Sequence, residues 1–340
     1  MKIGNINTKN KVFIIAEIGN NHEGSFALAK KMINEAAATG VDAVKFQTFI
    51  PEHYVSSIDQ LRLNKLRNFQ LNYNQFRDLS KFAKKKGLIF FSTPFDLKSA
   101  KFLNTIQPIF KISSGDNNFY QLIEKVASFK KSMIISTGVA DIDTIRTAYK
   151  KILKVWSLKK KRNQNLAFLH CVSSYPVPDE QANLASITYL KKLFPDVVVG
   201  YSDHTIGITA GILSVAAGAR IVEKHFTLDK NYSDFRDHQL SADPEEMSLM
   251  VNKIREAEKM LGNEVKSPQP CEKDMHIAVR RSIAATCDLK IGTKLLSSHL
   301  TWVRPGNGFL SGQEKKILGK KLSRSLKMGE IIKKSDFNES

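Results

Sequence analysis

The stretch Val12–Phe49, VFIIAEIGNNHEGSFALAKKMINEAAATGVDAVKFQTF, sets the architecture. Its opening, Val12–Gly19, is a β-branched apolar run of the kind that forms a buried strand. Ser25–Thr39 has helical composition, and Ala43–Phe49 is a second buried strand. Strand, helix and strand in that order imply parallel strands joined by a right-handed crossover. Both strands finish in polar residues: Glu17, Asn20, Asn21 and His22 on the first, Lys45 and Gln47 on the second. The last two are two positions apart and so share one face.

Outward from this unit the pattern repeats. Strands are expected at Ile89–Phe95, Ile109–Gly115, Met133–Gly138, Leu166–Tyr175, Val197–Thr205 and Ala219–Thr227. Helices are expected at Tyr73–Lys86, Leu97–Thr105, Phe119–Phe129, Asp141–Val155, Asp179–Leu193, Ile206–Ala217 and Asp243–Leu261. Nearly continuous apolar strand cores imply burial on both faces. A doubly wound open sheet shares these features, so the count decides: eight βα units over about 250 residues is the size of a TIM-type (β/α)₈ barrel. The expected fold is therefore α/β, with the barrel over residues 1–262. A linker follows over 263–279, containing Pro268 and Pro270, and a small basic second domain over 280–340.

Composition narrows the function classes. The chain has 340 residues, 42% of them hydrophobic and 25% charged, which is ordinary for a globular protein with a large core. Lys and Arg number 52 against 33 Asp and Glu, a formal charge of +19. The lysines are dispersed, with clusters at Lys84–Lys86, Lys159–Lys161, Lys315–Lys316 and Lys320–Lys321, beside expected helix ends and turns. This reads as solvated lysine, and no interleaved aromatic stripe or motif points to nucleic acid. Cys171, Cys271 and Cys287 lack C-x-x-C spacing, which argues against a disulfide framework or structural zinc. The N-terminal MKIGNINTKN has no apolar stretch of signal type. The longest apolar tract, Ile206–Val222, carries Arg220 and is interrupted by glycines, so it reads as a buried helix entering a strand. A cytoplasmic protein with no membrane partner is expected.

A barrel's active site forms at the C-terminal ends of its strands. There the sequence places Glu17, Lys45, Gln47, Thr93, Lys111, Ser113, Ser114, Asp116, Ser136, Ser173, Tyr175 and Ser202. Charged groups inside a parallel barrel are costly unless paired or used. The convergence of Glu17, Lys45, Lys111 and Glu223 with two histidines suggests a site for an anion and a metal. His204 and His225 end the neighbouring seventh and eighth strands. Two neutral imidazoles with open positions suit a divalent ion such as Mn²⁺; a closed zinc site wants further protein ligands. Lys45 and Lys111 suit phosphate or carboxylate, helped by the hydroxyls of Ser113, Ser114, Ser136 and Ser202. No Walker-type loop is present, which argues against nucleotide hydrolysis.

The segments IAEIGNNHEGSFALAKKMINEAAATGVDAVKFQTF, KISSGD, ISTGVA, HCVSSYPVP, VVGYSDHT and EKHFT occur in the order seen in the sialic acid synthase family, and the chain resembles that family over almost its whole length. The tail, through VRRSIAA, IGTKLLSSHLTWVRPGNG and LGKKLSRSLKMGEII, is similar to its antifreeze-like (SAF, β-clip-type) domain. The resemblance implies condensation of phosphoenolpyruvate with an open-chain N-acylated mannosamine-like sugar. The products would be a nine-carbon 2-keto sugar acid and inorganic phosphate. It implies His204 and His225 as ligands of Mn²⁺ or Mg²⁺, with Co²⁺ a further option. Lys45, Gln47, Lys111 and Ser114 match its phosphoenolpyruvate-binding group, Glu17 the carboxylate near the reacting carbons, and Tyr175 and Asp237 the sugar side. Arg280 or Arg281 resembles the arginine that the small domain delivers to a partner's barrel, in a domain-swapped homodimer.

Three departures fall on the sugar side: Ser173 where asparagine occurs in several members, Asp116 where glutamate is frequent, and Asn231–Ala242, NYSDFRDHQLSA, in which Arg236 adjoins Asp237. The expected product is therefore a legionaminic-type or other modified sugar acid as readily as N-acetylneuraminate. The alternatives are a phosphoenolpyruvate-dependent synthase of a different sugar acid, such as an eight-carbon one, and a non-catalytic carbohydrate- or ice-binding protein.

Overall fold

The computed structural model describes residues 1–156 and 165–338, which divide into two compact units, Met1–Gly262 and Asn263–Ser340. The expected Lys159–Lys161 cluster lies outside the described residues.

The first unit is built on eight parallel strands: β1 (Phe13–Gly19), β2 (Ala43–Thr48), β3 (Ile89–Pro94), β4 (Ile109–Ile112), β5 (Ser132–Ser136), β6 (Leu166–Cys171), β7 (Val198–Asp203) and β8 (Ile221–His225). Their order, β3-β2-β1-β8-β7-β6-β5-β4, is a barrel cut between β3 and β4. At that seam a side chain supplies the ladder. The buried Gln107 amide accepts from Ser92 N at 2.8 Å and donates to Ser92 O at 3.2 Å. It thereby satisfies both backbone groups of Ser92, on the edge that β3 presents at the seam.

Period-two alternation assigns the two faces of each strand. Phe13, Ile15, Ala43, Phe91, Ile109, Ile134, Leu169 and Ile221 fill the interior, all fully buried. An antiparallel pair, Lys2–Ile3 with Ile6–Asn7, adds Met1 and Ile3 to this cluster at the N-terminal ends of the strands. The alternate residues, among them Ile14, Phe46, Phe90, Phe110, Phe168 and Val222, face an outer layer of helices. Those helices present Met32, Leu79, Ile123, Ile152, Met250 and Ile254, each contributing about 1.5–3 kcal/mol on burial. Side-chain caps start several of the helices, including Ser25, Asn72, Asp96, Asp141 and Asp243.

The helices are α1 (Phe26–Ala38), α2 (Gln60–Phe69), α3 (Tyr73–Lys85), α4 (Leu97–Leu103), α5 (Tyr120–Ser128), α6 (Ile142–Val155), α7 (Ala185–Leu193), α8 (Thr209–Ala216) and α9 (Pro244–Leu261). Two differences from expectation matter. The helix expected from Asp179 starts only at Ala185, because a 3₁₀ turn, Asp179–Gln181, and Asn183 at φ 44° interrupt the path. Helix α2 was not anticipated; Asp59 caps it, and Leu63 and Leu66 form its buried side.

The second unit pairs β9 (Ser282–Ala285) with β10 (Leu300–Val303) antiparallel, around Ile283, Leu295, Ile317, Leu322, Leu326 and Ile332. Residues 263–279, expected as linker, carry a short helix, Lys273–Ala278, and belong to this unit. No helix among the described residues is long and apolar enough to cross a membrane.

Candidate active site

The interior alternation that is apolar low in the barrel turns polar at the C-terminal ends. Two residues beyond Ile15, Ala43, Phe91, Ile109, Ile134 and Ile221 stand Glu17, Lys45, Thr93, Lys111, Ser136 and Glu223. They form the floor of a cavity of about 820 Å³.

The floor is an alternating charge cluster. Lys45 Nζ lies 2.9 Å from Glu17 Oε2 and 3.7 Å from Glu223 Oε2, and donates to Thr93 Oγ1 at 3.2 Å. Lys111 Nζ lies 2.8 Å from Glu223 Oε1, which also accepts from Ser202 Oγ at 2.9 Å. All four charged groups are buried, and this decides their titration. Burial lifts Glu17 to about 7 against the pull of Lys45, with Glu223 adding to the rise. Burial also acts to raise Glu223, but Lys111 and Lys45 outweigh it and hold it low. For Lys111 burial prevails and lowers the ammonium, whereas for Lys45 the two carboxylates overcome burial and raise it. Gln47 Nε2 leans on Glu17 Oε1 at 3.4 Å and its oxygen accepts from Asn20 at 2.9 Å.

Above the floor stand the histidines, with ring centroids 5.3 Å apart. His204 Nδ1 donates to Val172 O at 2.8 Å, so its Nε2 is left for another partner. Burial drives the His225 pKa well below its ordinary value, which makes the ring neutral, and its buried Nδ1 has no hydrogen-bond partner. Tyr175 packs on His204 with centroids 4.2 Å apart, and Asp237 Oδ2 lies 4.0 Å from His225 Nδ1. The neutral His225 imidazole with its orphaned ring nitrogen, beside His204, for which burial is outweighed by the contact with Cys171 and the pKa is raised, fits an open divalent site. Among the described residues no group of three His, Cys, Asp or Glu could close one.

The sugar-side residues line the same cavity. Ser173, Ser114 and Gly138 meet so closely that a Cβ on Gly138 would lie 2.3 Å from Ser173 Oγ and 2.7 Å from Ser114 Oγ. Ser114 Oγ accepts from Gly138 N, while the buried hydroxyls of Ser136 and Ser173 have no protein partner and are available to a ligand. Ser113 reaches the cavity, but Asp116 does not line it. Asp116 accepts from Ser113 Oγ at 2.7 Å and so acts from behind. Arg280 and Arg281 are exposed in the second unit, where Arg281 donates to Trp302 O at 2.6 Å.

Several lining residues take their specific partners only from the tertiary structure. Glu223, legible in EKHFT as one of the converging charges, proves to be the bridge between both lysines. Cys171 faces Ser114 and His204. Helix α2, held by Leu66 against Phe49 and Phe95, brings Arg62, Lys65 and Phe69 to the wall. The signal for α2 was Asp59 followed by Leu63, Leu66 and Phe69 at three-residue spacing.

Comparison with known proteins agrees with this geometry. The NeuB family model matches residues 32–266 and the SAF domain model residues 280–338. The chain is 44% identical over 321 residues to the uncharacterized protein MJ1065 of Methanocaldococcus jannaschii, covering 94% of this chain and 93% of that one. It is 37% identical over 337 residues to the N,N'-diacetyllegionaminic acid synthase of Campylobacter jejuni, covering 95% and 99%. The N-acetylneuraminic acid (sialic acid) synthetase of Leptospira borgpetersenii, solved with citrate, superposes with a TM-score of 0.75 at 36% identity, covering 81% of this chain and 94% of that one. Barrel, site and tail thus converge on one assignment: the chain belongs to the NeuB family and carries a C-terminal SAF domain.

Proposed function

We propose that this protein condenses phosphoenolpyruvate with an open-chain N-acylated mannosamine-like sugar and water, giving a nine-carbon 2-keto sugar acid and inorganic phosphate. The observation that carries the reading is the buried Glu17–Lys45–Glu223–Lys111 cluster directly beneath two imidazoles.

Lys45 and Lys111 bind the phosphate and carboxylate of phosphoenolpyruvate by charge-assisted hydrogen bonds, with Ser114, Ser136 and Ser202 supplying hydroxyls. The cluster is preorganised, because Glu17 and Glu223 hold both ammonium groups in place before substrate arrives. C3 of phosphoenolpyruvate bonds to the aldehyde carbon, whose oxygen takes a proton. Water adds at C2, and the C2–O bond then breaks to release phosphate and leave the ketone. Glu17, raised to about 7, changes protonation near neutral pH, which suits it to moving the proton of that water. His204 and His225 would hold a divalent ion, Mn²⁺ or Mg²⁺, which when bound supplies Lewis-acid polarisation of the aldehyde. Tyr175 and Asp237 position the sugar. A homodimer lending Arg280 or Arg281 to the neighbouring cavity, in the cytoplasm, completes the proposal.

The test is phosphoenolpyruvate consumption with Mn²⁺ and a panel of N-acylated sugars, with product masses recorded and ¹⁸O placed in the bridging position. The expected result is sugar-dependent turnover, ¹⁸O in the released phosphate, and loss of activity and of Mn²⁺ binding in His225→Ala. Turnover that leaves the label in the sugar acid, or none with any sugar, refutes the reading.

A further inference from the structure

The cavity has a second charged layer, distinct from its floor. Arg62 and Lys65 of α2, and Arg236 of the segment after β8, stand at the mouth. The floor lysines are neutralised by Glu17 and Glu223, but the mouth cations are held differently. Each lies over an aromatic ring. The Arg62 guanidinium is 5.6 Å from the Tyr54 ring, Lys65 Nζ is 4.8 Å from Phe235, and the Arg236 guanidinium is 4.5 Å from Tyr175. Tyr54, Phe235 and Tyr175 line the cavity themselves, so the cations are fixed on its wall. Phe235 in turn packs edge-on against Phe69 of α2 at 5.2 Å, which joins the two segments that carry the cations.

Support from a ring face orients a cation without consuming its N–H donors. Among the described residues, Arg62 and Lys65 form no ion pair with a carboxylate, Arg62 bonding instead to the Tyr54 hydroxyl with part of its fork, and Arg236 reaches only Asp237, at 3.5 Å. Asp234 and Asp237 also line the mouth, which leaves three cations against two carboxylates.

We infer that Arg62, Lys65 and Arg236 form an anion subsite that reads a negatively charged group on the sugar, a phosphate monoester or a carboxylate, at the end remote from its aldehyde. The inference rests on the proposed synthase reaction, which puts the aldehyde by His204 and His225 and turns the far end of the sugar to the mouth. The floor lysines serve phosphoenolpyruvate, so a second anion requires a second set of donors, and the mouth supplies one.

The full chain is assayed with phosphoenolpyruvate, Mn²⁺ and three sugars: N-acetylmannosamine, its 6-phosphate and its 6-carboxylate. The expected kcat/KM for one of the anionic sugars exceeds that of the neutral sugar by about tenfold or more, and which one distinguishes phosphate from carboxylate. In Arg62→Gln/Lys65→Gln that ratio collapses toward one. In Lys84→Gln/Lys85→Gln, which removes the same charge from the last turn of α3, the ratio is retained; this separates the subsite from the general field of a +19 protein. A neutral sugar that serves equally well, or a ratio untouched by the first pair of substitutions, overturns the inference. If no sugar consumes phosphoenolpyruvate, the synthase reading falls, and calorimetric titration with N-acetylmannosamine 6-phosphate decides the subsite alone. Binding weakened about tenfold by Arg62→Gln/Lys65→Gln upholds it, and equal binding rejects it.

Discussion

Lys224→Met tests how the two histidines are held. Lys224 and Asp203 lie on the outer face of β8 and β7, directly behind His225 and His204, and both side chains are fully buried. Lys224 Nζ is 3.1 Å from Asp203 Oδ2 and donates to Thr205 O at 2.6 Å. Asp203 Oδ1 accepts from Thr205 N at 2.9 Å and Thr205 Oγ1 at 2.8 Å. The pair therefore grips both backbone groups of the residue that follows His204 and ties them to the residue that precedes His225. Methionine keeps the volume but strands the Asp203 carboxylate in an apolar layer, a loss of about 3–5 kcal/mol. Replacing both partners, Lys224→Met with Asp203→Leu, leaves no buried charge and is expected to cost at least about 2 kcal/mol less than the two single changes together. Urea unfolding of the four proteins measures this cycle, with Trp156 reporting the barrel unit. Mn²⁺ titration of the single variant is expected to show affinity about 10–100-fold weaker, the usual effect of removing support behind metal-binding residues. A single variant destabilised by less than about 1 kcal/mol, or a double variant costing the full sum, would refute the clamp.

Three further outcomes follow from the site. Glu223→Gln removes the shared partner of Lys111 and Lys45, and kcat/KM for phosphoenolpyruvate is expected to fall about 100-fold or more, read by phosphate release; wild-type kinetics would show that the bridge is dispensable. His22, buried, has its pKa pushed down to about 4, while in the unfolded chain it titrates near 6.5. Below 6.5 the unfolded chain binds a proton that the folded one refuses, so stability falls by about 3 kcal/mol in all as pH drops from 6.5 to 4. His22→Asn should lose that part of the slope in urea melts across the window, and an unchanged slope would assign it to other groups. Gly138→Ala drives a methyl group into Ser173 Oγ on the sugar side and Ser114 Oγ on the phosphoenolpyruvate side, and the expected effect is a rise of about tenfold or more in the KM of both substrates; an unchanged sugar KM would remove Ser173 from the sugar side.

What the sequence determines by itself is whatever covalent spacing encodes. Glu17 follows Ile15, and Lys111 follows Ile109, at the two-residue period of a strand, so burial of the apolar member turns the charged one to the same interior. The eight strands, the face each presents and the polar character of their C-terminal ends were legible for that reason. The family motifs are legible too, because they are contiguous. Tertiary structure decided the partners. Lys111 and Glu223, 112 residues apart, meet only because the barrel brings β4 and β8 to one interior. Closure also makes Gln107 a substitute ladder for Ser92 at the seam, and sets Lys224 against Asp203 behind the histidines. Helix α2 is the clearest case. Only its docking, through Leu66 on Phe49 and Phe95, turns Arg62 and Lys65 from apparently solvated cations into the wall of a cavity. Charge on a local segment states what a residue can do, whereas which oppositely charged or aromatic group it meets depends on chain closure over distances that local spacing does not encode.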